Sequence, residues 1–344
     1  MRVAPVVRTL LAAIGMLVGA LASGPAPALV GMARGADAGA SPVAMTLPLV
    51  HRFALGLPTD DVAVLPLSRT LLLAQEAGKR ALALDEGTGR LRATITLPTG
   101  ARHVAADPTL GQVYLPDEFS ARLVVVRLVG GWNHLVTQTV GVGRQPHGVA
   151  VDPRTHRVYV GNEHGDTVSV VEGLSLRVRA TVPVGRIPGG VAVAPASGLV
   201  YAVLVGENRV AVLDAARERV LRRVAVGAGP THLALDPGTE RIAVVNTGAG
   251  TLSLVDGRRG TASPPLRVGS APYSVAIDGP RGLTFVASAR RPTLTIVDSH
   301  HLTVRGTMTL DMVPGAVAVD SGRRLLIVVG ASRPWLEIFS YQAL

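Results

Sequence analysis

Short apolar runs rich in β-branched residues, separated by polar turns, recur along most of this 344-residue chain. The stretch 144–185 shows the pattern most clearly, with apolar runs at 148–152, 157–161, 167–171 and 178–184. Asp-Pro, Asn-Glu-His-Gly-Asp and Glu-Gly stand between these runs and are typical of turns. The stretch therefore predicts a four-stranded antiparallel meander, which cannot bury both of its faces alone.

The same unit repeats with a fixed period. Proline recurs every 42 residues, at Pro146, Pro188, Pro230, Pro272 and Pro314. An apolar strand such as Val-Ala-Val-Asp follows each of these prolines. A period in the forties with four strands per unit is typical of a β-propeller. Six full units run from 57 to 313 and an incomplete one follows, so we predict an all-β fold, a seven-bladed β-propeller of four-stranded antiparallel blades.

The two ends of the repeat region complement each other. The last unit has only three predicted strands, at 316–319, 325–329 and 335–339. The run 49–56 predicts one strand without a hairpin partner. Pairing it with the last unit supplies the missing strand and removes open sheet edges. We therefore predict a ring closed by an N-terminal strand that completes the last blade.

The third unit resembles a known repeat. The segment PHGVAVDPRTHRVYVGNEHGDTVSVVE carries Tyr-Val-Gly-Asn at 159–162, where the YVTN-type β-propeller repeat has its name-giving tetrapeptide. The resemblance covers the chain from about residue 49 to its end and implies an exported seven-bladed propeller. Unrelated activities share this scaffold, so the resemblance predicts the architecture and leaves the ligand open.

The N-terminus predicts export. Arg2 and Arg8 precede an uncharged apolar run at 9–22, which is short for a membrane span, and small residues at 26–28 suit cleavage. The resulting segments are a signal peptide at 1–28, a linker at 29–48 and the propeller at 49–344. We therefore expect a periplasmic or secreted monomer without a transmembrane anchor.

Composition narrows the chemistry. The chain has no cysteine, which excludes disulfides, thiol chemistry, iron–sulfur clusters and haem attached through cysteine. Its formal net charge of +10 comes from arginines scattered over every repeat, with Lys79 as the single lysine. A basic surface attracts anionic polymers, but no run of free aromatic side chains offers a stacking platform for bases. Nucleic acid is therefore an unfavoured partner.

Residues that recur at one position of each unit are expected to serve the fold. Aspartates end the first strand of five units and suit Asx turns: Asp107, Asp152, Asp236, Asp278 and Asp320. Large aromatic residues share one strand position and are predicted to be core: Tyr114, Tyr159, Tyr201 and Phe285. Candidates for function are the residues that break the pattern.

Two sets of loops meet on one face of the predicted ring. We call the loop that precedes the innermost strand of each blade its leading loop. The loop that joins the second and third strands of the blade is its middle loop. The leading loops contribute Asp60, Asp61, Arg102, His103, His147, His232 and Tyr273. The middle loops contribute Gln75, Glu76, Asp117, Glu118, Asn162, Glu163, His164, Asn246, Arg290 and Arg291. Because innermost strands line the channel, the leading-loop residues are expected at its mouth.

We predict a ligand-binding site at this channel mouth. Its residues are Asp61, Arg102, His103, His147, His232 and Tyr273. The three histidines come from three different blades, so ring geometry is expected to bring them within reach of one metal ion or one anionic group. A surface for a polar small ligand or a protein partner is one interpretation of this site. A shared metal ion, and solvated histidines without a defined site, are the alternatives. No residue is assigned as catalytic or as a metal ligand, and the cofactor is left open.

Three classes of function remain. The preferred one is an exported, non-catalytic binding or scaffolding module for a small ligand or an envelope protein, because no HxxEH, GxSxG or P-loop pattern occurs. The resemblance implies a second class, a lactonase-like or quinoprotein-associated enzyme with its polar site at the channel mouth. The third is nucleic-acid binding through the basic surface.

Overall fold

Seven antiparallel sheets follow one another in the computed structural model, which describes residues 43–132 and 134–344. Their innermost strands contact one another in a closed ring, so the predicted seven-bladed β-propeller is confirmed. The predicted signal peptide at 1–28 and most of the predicted linker at 29–48 lie outside the described residues. Between residues 43 and 344, leaving out 133, no helix has the length and apolarity to span a membrane.

The strands follow the repeat closely. The chain begins its first blade after β1 (Leu49–Ala54). Blade one is β2 (Asp61–Leu65), β3 (Thr70–Gln75), β4 (Arg80–Asp85) and β5 (Leu91–Thr96). Blade two is β6 (Ala105–Asp107), β7 (Gln112–Asp117), β8 (Arg122–Leu128) and β9 (Leu135–Gly141). Blade three is β10 (Pro146–Asp152), β11 (Arg157–Asn162), β12 (Thr167–Glu172) and β13 (Arg177–Pro183).

The remaining blades keep this order. Blade four is β14 (Pro188–Ala194), β15 (Leu199–Leu204), β16 (Arg209–Asp214) and β17 (Arg219–Ala225). Blade five is β18 (Pro230–Asp236), β19 (Arg241–Asn246), β20 (Thr251–Asp256), β21 (Thr261–Ala262) and β22 (Leu266–Arg267). Blade six is β23 (Pro272–Asp278), β24 (Leu283–Ser288), β25 (Thr293–Asp298) and β26 (Thr303–Thr309). Blade seven is β27 (Pro314–Asp320), β28 (Leu325–Gly330) and β29 (Trp335–Ser340). Short 3-10 helices lie in loops of other blades, at Pro66–Ser68, Glu76–Gly78, Glu163–Gly165 and Gly279–Arg281.

The core lies between neighbouring blades. The second and third strands of a blade are buried on both faces, which explains their continuous apolar runs, whereas outer strands such as β13 are largely exposed. The aromatic residues at the shared strand position are at most 1 % exposed, as predicted: Tyr114, Tyr159, Tyr201 and Phe285. The repeated aspartates accept hydrogen bonds from the turns that follow them, for example Asp152 from the backbone nitrogen of Arg154 at 2.9 Å.

Two blades depart from the regular unit. The outer strand of blade five is split into β21 and β22, which both pair with β20, because Pro264 and Pro265 lie between them and cannot donate to the sheet. The innermost strand of blade two, β6, has only three residues. The lengthened hairpin of blade two carries Trp132, which is half-buried and packs against the core between blades one and two.

The ring closes as predicted. Strand β1 pairs antiparallel with β29, with Arg52 opposite Glu337 and Phe53 opposite Leu336. Glu337 is buried, and Nε of Arg52 donates a hydrogen bond to its Oε1 at 2.7 Å. Residues before β1 also contact the ring, since the backbone nitrogen of Met45 donates to the carbonyl of Thr307 in β26 at 2.9 Å.

Replacing Arg52 with alanine should weaken the closure of the ring. The substitution leaves the buried carboxylate of Glu337 without its cation, and Arg52 also lies 4.6 Å from the ring centroid of Trp335. Because Arg52 itself is partly exposed, we expect a loss of about 1–3 kcal/mol of unfolding free energy in urea. Arg177→Ala, which removes an exposed arginine from β13, should change stability by less than about 0.5 kcal/mol and is the control. Equal effects of the two substitutions would contradict this role of Arg52.

Candidate functional site

Backbone irregularities direct the candidate side chains toward the channel mouth. His147 and His232 lie near the start of β10 and β18, and the pairing register of both strands shifts there. Such bulges commonly re-aim a side chain at the rim of a sheet. Gly148 allows the close approach of β14, because a Cβ at this position would lie 2.3 Å from the carbonyl oxygen of Gly189. His103 lies in the loop before β6.

The three histidines form one cluster, although each comes from a different blade. Nε2 of His103 lies 3.0 Å from Nε2 of His147. The ring centroid of His232 lies 5.3 Å from that of His103 and 6.1 Å from that of His147. One ring nitrogen from each histidine can be chosen so that all three lie within 4.8 Å of one another. These separations bring three imidazoles around a single point.

Two carboxylates fix the orientation of the rings. Oδ2 of Asp61 lies 3.2 Å from Nδ1 of His103, and Oε1 of Glu118 lies 2.8 Å from Nδ1 of His147. An ionised carboxylate only accepts hydrogen bonds, so Nδ1 carries the proton in both rings. When both rings are neutral the two Nε2 atoms therefore direct their lone pairs at each other, and either a proton on one ring or a cation bound by both relieves the repulsion.

His147 and His232 have opposite electrostatic surroundings. Burial disfavours the charged form of His147, but Glu163 and Glu118 outweigh it and raise the pKa of His147. Burial, followed by repulsion from His103 and His147, lowers the pKa of His232 well below its ordinary value. Among the described residues, Nδ1 of His232 is buried and has no hydrogen-bond partner. His232 is therefore neutral with one unused nitrogen.

Tyr273 and Arg102 complete the mouth. The ring of Tyr273 contacts that of His232 edge-on, with centroids 4.4 Å apart. Nε of Arg102 donates a hydrogen bond to Glu76 at 2.9 Å and lies 3.8 Å from Oε1 of Glu118. Since two carboxylates already engage Arg102, its charge is not free for an anionic ligand.

Carboxylates outnumber permanent cations in this cluster. Glu163 lies with Oε1 3.8 Å from Nε2 of His147, and Gln145 donates a hydrogen bond to its other oxygen at 3.3 Å. The carboxylates around the mouth are Asp60, Asp61, Glu76, Glu118 and Glu163. Against them stands Arg102 as the permanent cation in the contacts described. The mouth is therefore locally acidic, although the whole chain carries a formal net charge of +10.

The structure brings all six predicted site residues together. Asp61, His103, His147, His232 and Tyr273 form an unbroken series of contacts, and Arg102 joins it through Glu118. The prediction omitted Glu76, Glu118 and Glu163 from the site, although it placed all three on this face. Their position in the middle loops next to the histidine-bearing leading loops was the available signal.

Other middle-loop candidates have structural roles. The amide nitrogens of Asn162 and Asn246 donate within their own blades, to Thr167 and Thr251 respectively. Gln75 is fully buried and donates to the carbonyl oxygen of Leu57 at 2.9 Å. These side chains hold the loops in place and do not line the mouth.

A shallow groove adjoins the cluster between blades two and three. Its volume is about 410 Å³. Its lining residues are Glu118, Phe119, Ala121, Arg144, Gln145 and His164. Phe119 is 71 % exposed, so the groove presents an apolar ring beside the polar cluster. Glu118 belongs to both the groove and the cluster, whereas Arg144 lines the groove without taking part in the cluster contacts described above.

The fold and the site together define a seven-bladed β-propeller with a histidine–carboxylate cluster at the mouth of its channel. No protein-family model and no curated protein sequence matches the chain. Among solved structures, the chain is similar to one described as Kuenenia stuttgartiensis hydrazine synthase, with a TM-score of 0.71 and 15 % sequence identity over 90 % of this chain and 99 % of that chain. At this identity the similarity shows the fold alone.

Asp60 should make the protein less stable as the pH rises toward neutrality. Burial raises the pKa of Asp60 from its ordinary value of 3.8 to about 6, although the backbone nitrogen of Glu76 donates to the carboxylate. The unfolded chain therefore releases this proton at lower pH than the folded protein, and stability is lost between about pH 4 and 6. Asp60→Asn should lack this loss, so its stability relative to wild type should increase from pH 4 to pH 7 by at most about 3 kcal/mol. Urea unfolding at both pH values measures the difference, and parallel pH profiles would contradict it.

Proposed function

We propose that this protein is an exported, non-catalytic binding module that belongs to the YVTN-type propellers and recognises a cationic ligand at its channel mouth. The ligand is a small cation or a positively charged group of an envelope protein. The observation that carries the proposal is the excess of carboxylates over cations around the histidine cluster, with Glu118 and Glu163 closest to it. A positive ligand is attracted to such a site, and low local dielectric strengthens the attraction.

The contacts of Arg102 support a cationic ligand over an anionic one. Arginine is one of the groups that stabilise negative charge in a lactone-hydrolysing or anion-binding site, and here Arg102 is already engaged by Glu76 and Glu118. The acidic mouth also disfavours contact with a nucleic-acid backbone at this face. The groove with Phe119 next to the cluster provides apolar area for a larger partner.

Thermal melting against a panel of ligands tests this function. A ligand that binds only the folded protein raises the melting temperature by mass action, by an amount equivalent to about 2.7 kcal/mol at one hundred times its dissociation constant. We expect shifts with cations such as divalent metal ions, spermidine or an arginine-rich peptide, and none with lactones or oligonucleotides.

Neutral substitutions at the mouth identify the site. Glu118→Gln and Glu163→Gln should each reduce the shift, because they remove negative charge and keep the side-chain shape. Glu207→Gln is the matched control, since Glu207 lies in the corresponding loop of blade four and bonds to the backbone of Arg186 instead. A shift that appears only with anions, or one that survives both substitutions, would overturn the proposal.

A further inference from the structure

We propose that His103, His147 and His232 bind one divalent transition-metal ion, for which Zn²⁺ is the model, with Asp61 and Glu118 as positioning residues. The inference rests on the proposed function and deepens it by naming the cation. It is carried by the geometry of the three rings, by the two carboxylates behind them and by the unpartnered nitrogen of His232.

The separations of the ring nitrogens suit such an ion. Imidazole nitrogens bind Zn²⁺ at about 2.0–2.1 Å, so nitrogens at tetrahedral angles lie about 3.4 Å apart. Nε2 of His103 and Nε2 of His147 are 3.0 Å apart, and all three donor atoms lie within 4.8 Å of one another. Because the nitrogens of His103 and His147 are already 3.0 Å apart, the remaining adjustment falls on the separations that involve His232.

The carboxylates behind the rings match the outer shell of histidine metal sites. In such sites the ring nitrogen that does not bind the metal donates to a carboxylate, which fixes the tautomer and raises the basicity of the other nitrogen. Asp61 does this for His103 and Glu118 for His147. Backbone nitrogens hold Asp61 in turn, since those of Val62 and Val104 donate to its two oxygens at 2.8 Å and 3.2 Å.

The donor set selects the class of metal. Three imidazoles suit zinc, copper, nickel or cobalt, whereas calcium and magnesium require a shell of oxygen ligands. An organic cation is a poorer match, because the unprotonated nitrogens converge on one point instead of lining a cavity. Three protein ligands leave one position of a tetrahedral ion for water or another molecule. Glu163, with Oε1 3.8 Å from Nε2 of His147, lies beside the cluster.

Metal titration of the purified full-length protein, prepared without a polyhistidine tag, tests the inference. Isothermal titration calorimetry with Zn²⁺ should give one ion per chain. Co²⁺ should give the intense visible absorption of a four-coordinate ion, which hexa-aqua Co²⁺ lacks. The His103→Asn, His147→Asn and His232→Asn variants should each weaken Zn²⁺ binding by more than about 100-fold, because loss of an orienting carboxylate alone costs about 10–100-fold. Asp61→Asn and Glu118→Gln should fall within that smaller range.

A matched histidine provides the control. His301 also lies 3.2 Å from an aspartate, Asp298, but its side chain is 78 % exposed and it lies outside the histidine cluster. His301→Asn should therefore bind Zn²⁺ as tightly as the wild type. Melting curves without metal show whether each variant is folded, and the Co²⁺ spectrum of the wild type tests the site without any substitution.

The outcomes separate the two proposals. Absence of stoichiometric Zn²⁺ or Co²⁺ binding, or wild-type affinity in all three histidine variants, overturns the metal site. If in that case spermidine or an arginine-rich peptide still stabilises the protein through Glu118 and Glu163, the acidic binding module stands without the metal. If no cation of either kind stabilises the protein, both proposals fail.

Discussion

Every blade of this protein depends on its neighbours, because a single four-stranded sheet cannot bury two apolar faces. The core consists of successive layers between blades, and each layer takes side chains from two sheets. An open array would leave the first and last blades with an apolar face in water. Pairing of β1 with β29 completes the last blade and closes the ring, so neither of these apolar faces is left in water. The buried Glu337 and its partner Arg52 join the two strands. Ring closure is thus the condition on which the rest of the fold rests.

The same closure assembles the histidine cluster. His103, His147 and His232 are separated by 44 and 85 residues along the chain, yet their ring nitrogens come within 4.8 Å. Only a ring whose innermost strands converge on one channel brings blades two, three and five together in this way. The bulges at the start of β10 and β18 then direct their histidines to the mouth. Disruption of the closure is therefore expected to disturb the site as well as stability.

The electrostatic arrangement of the mouth links its structure to binding. Placing several carboxylates together in a partly buried region is unfavourable unless each has a partner. Here Asp61 and Glu118 face histidines, and Glu76 faces Arg102. The carboxylates at the channel mouth still outnumber the positive charges in contact with them. In addition, Nδ1 of His232 has no hydrogen-bond partner among the described residues. A bound cation relieves both deficits, which is why the site is suited to binding one.

The sequence by itself determined the architecture, because a 42-residue period, apolar strands and turn aspartates are local features repeated many times. It also placed Asp61, Arg102, His103, His147, His232 and Tyr273 on one face, since propeller connectivity assigns each loop to a side of the ring. It left out Glu118 and Glu163, because hydrogen bonds between loops of different blades depend on distances that no spacing encodes. Only the tertiary structure decided which carboxylate stands behind which histidine, and that Arg102 is engaged by acids. The carboxylate–histidine and carboxylate–arginine pairs depend on ångström-scale packing between blades. The fold depends on a repeat period that can be recognised in the amino-acid sequence.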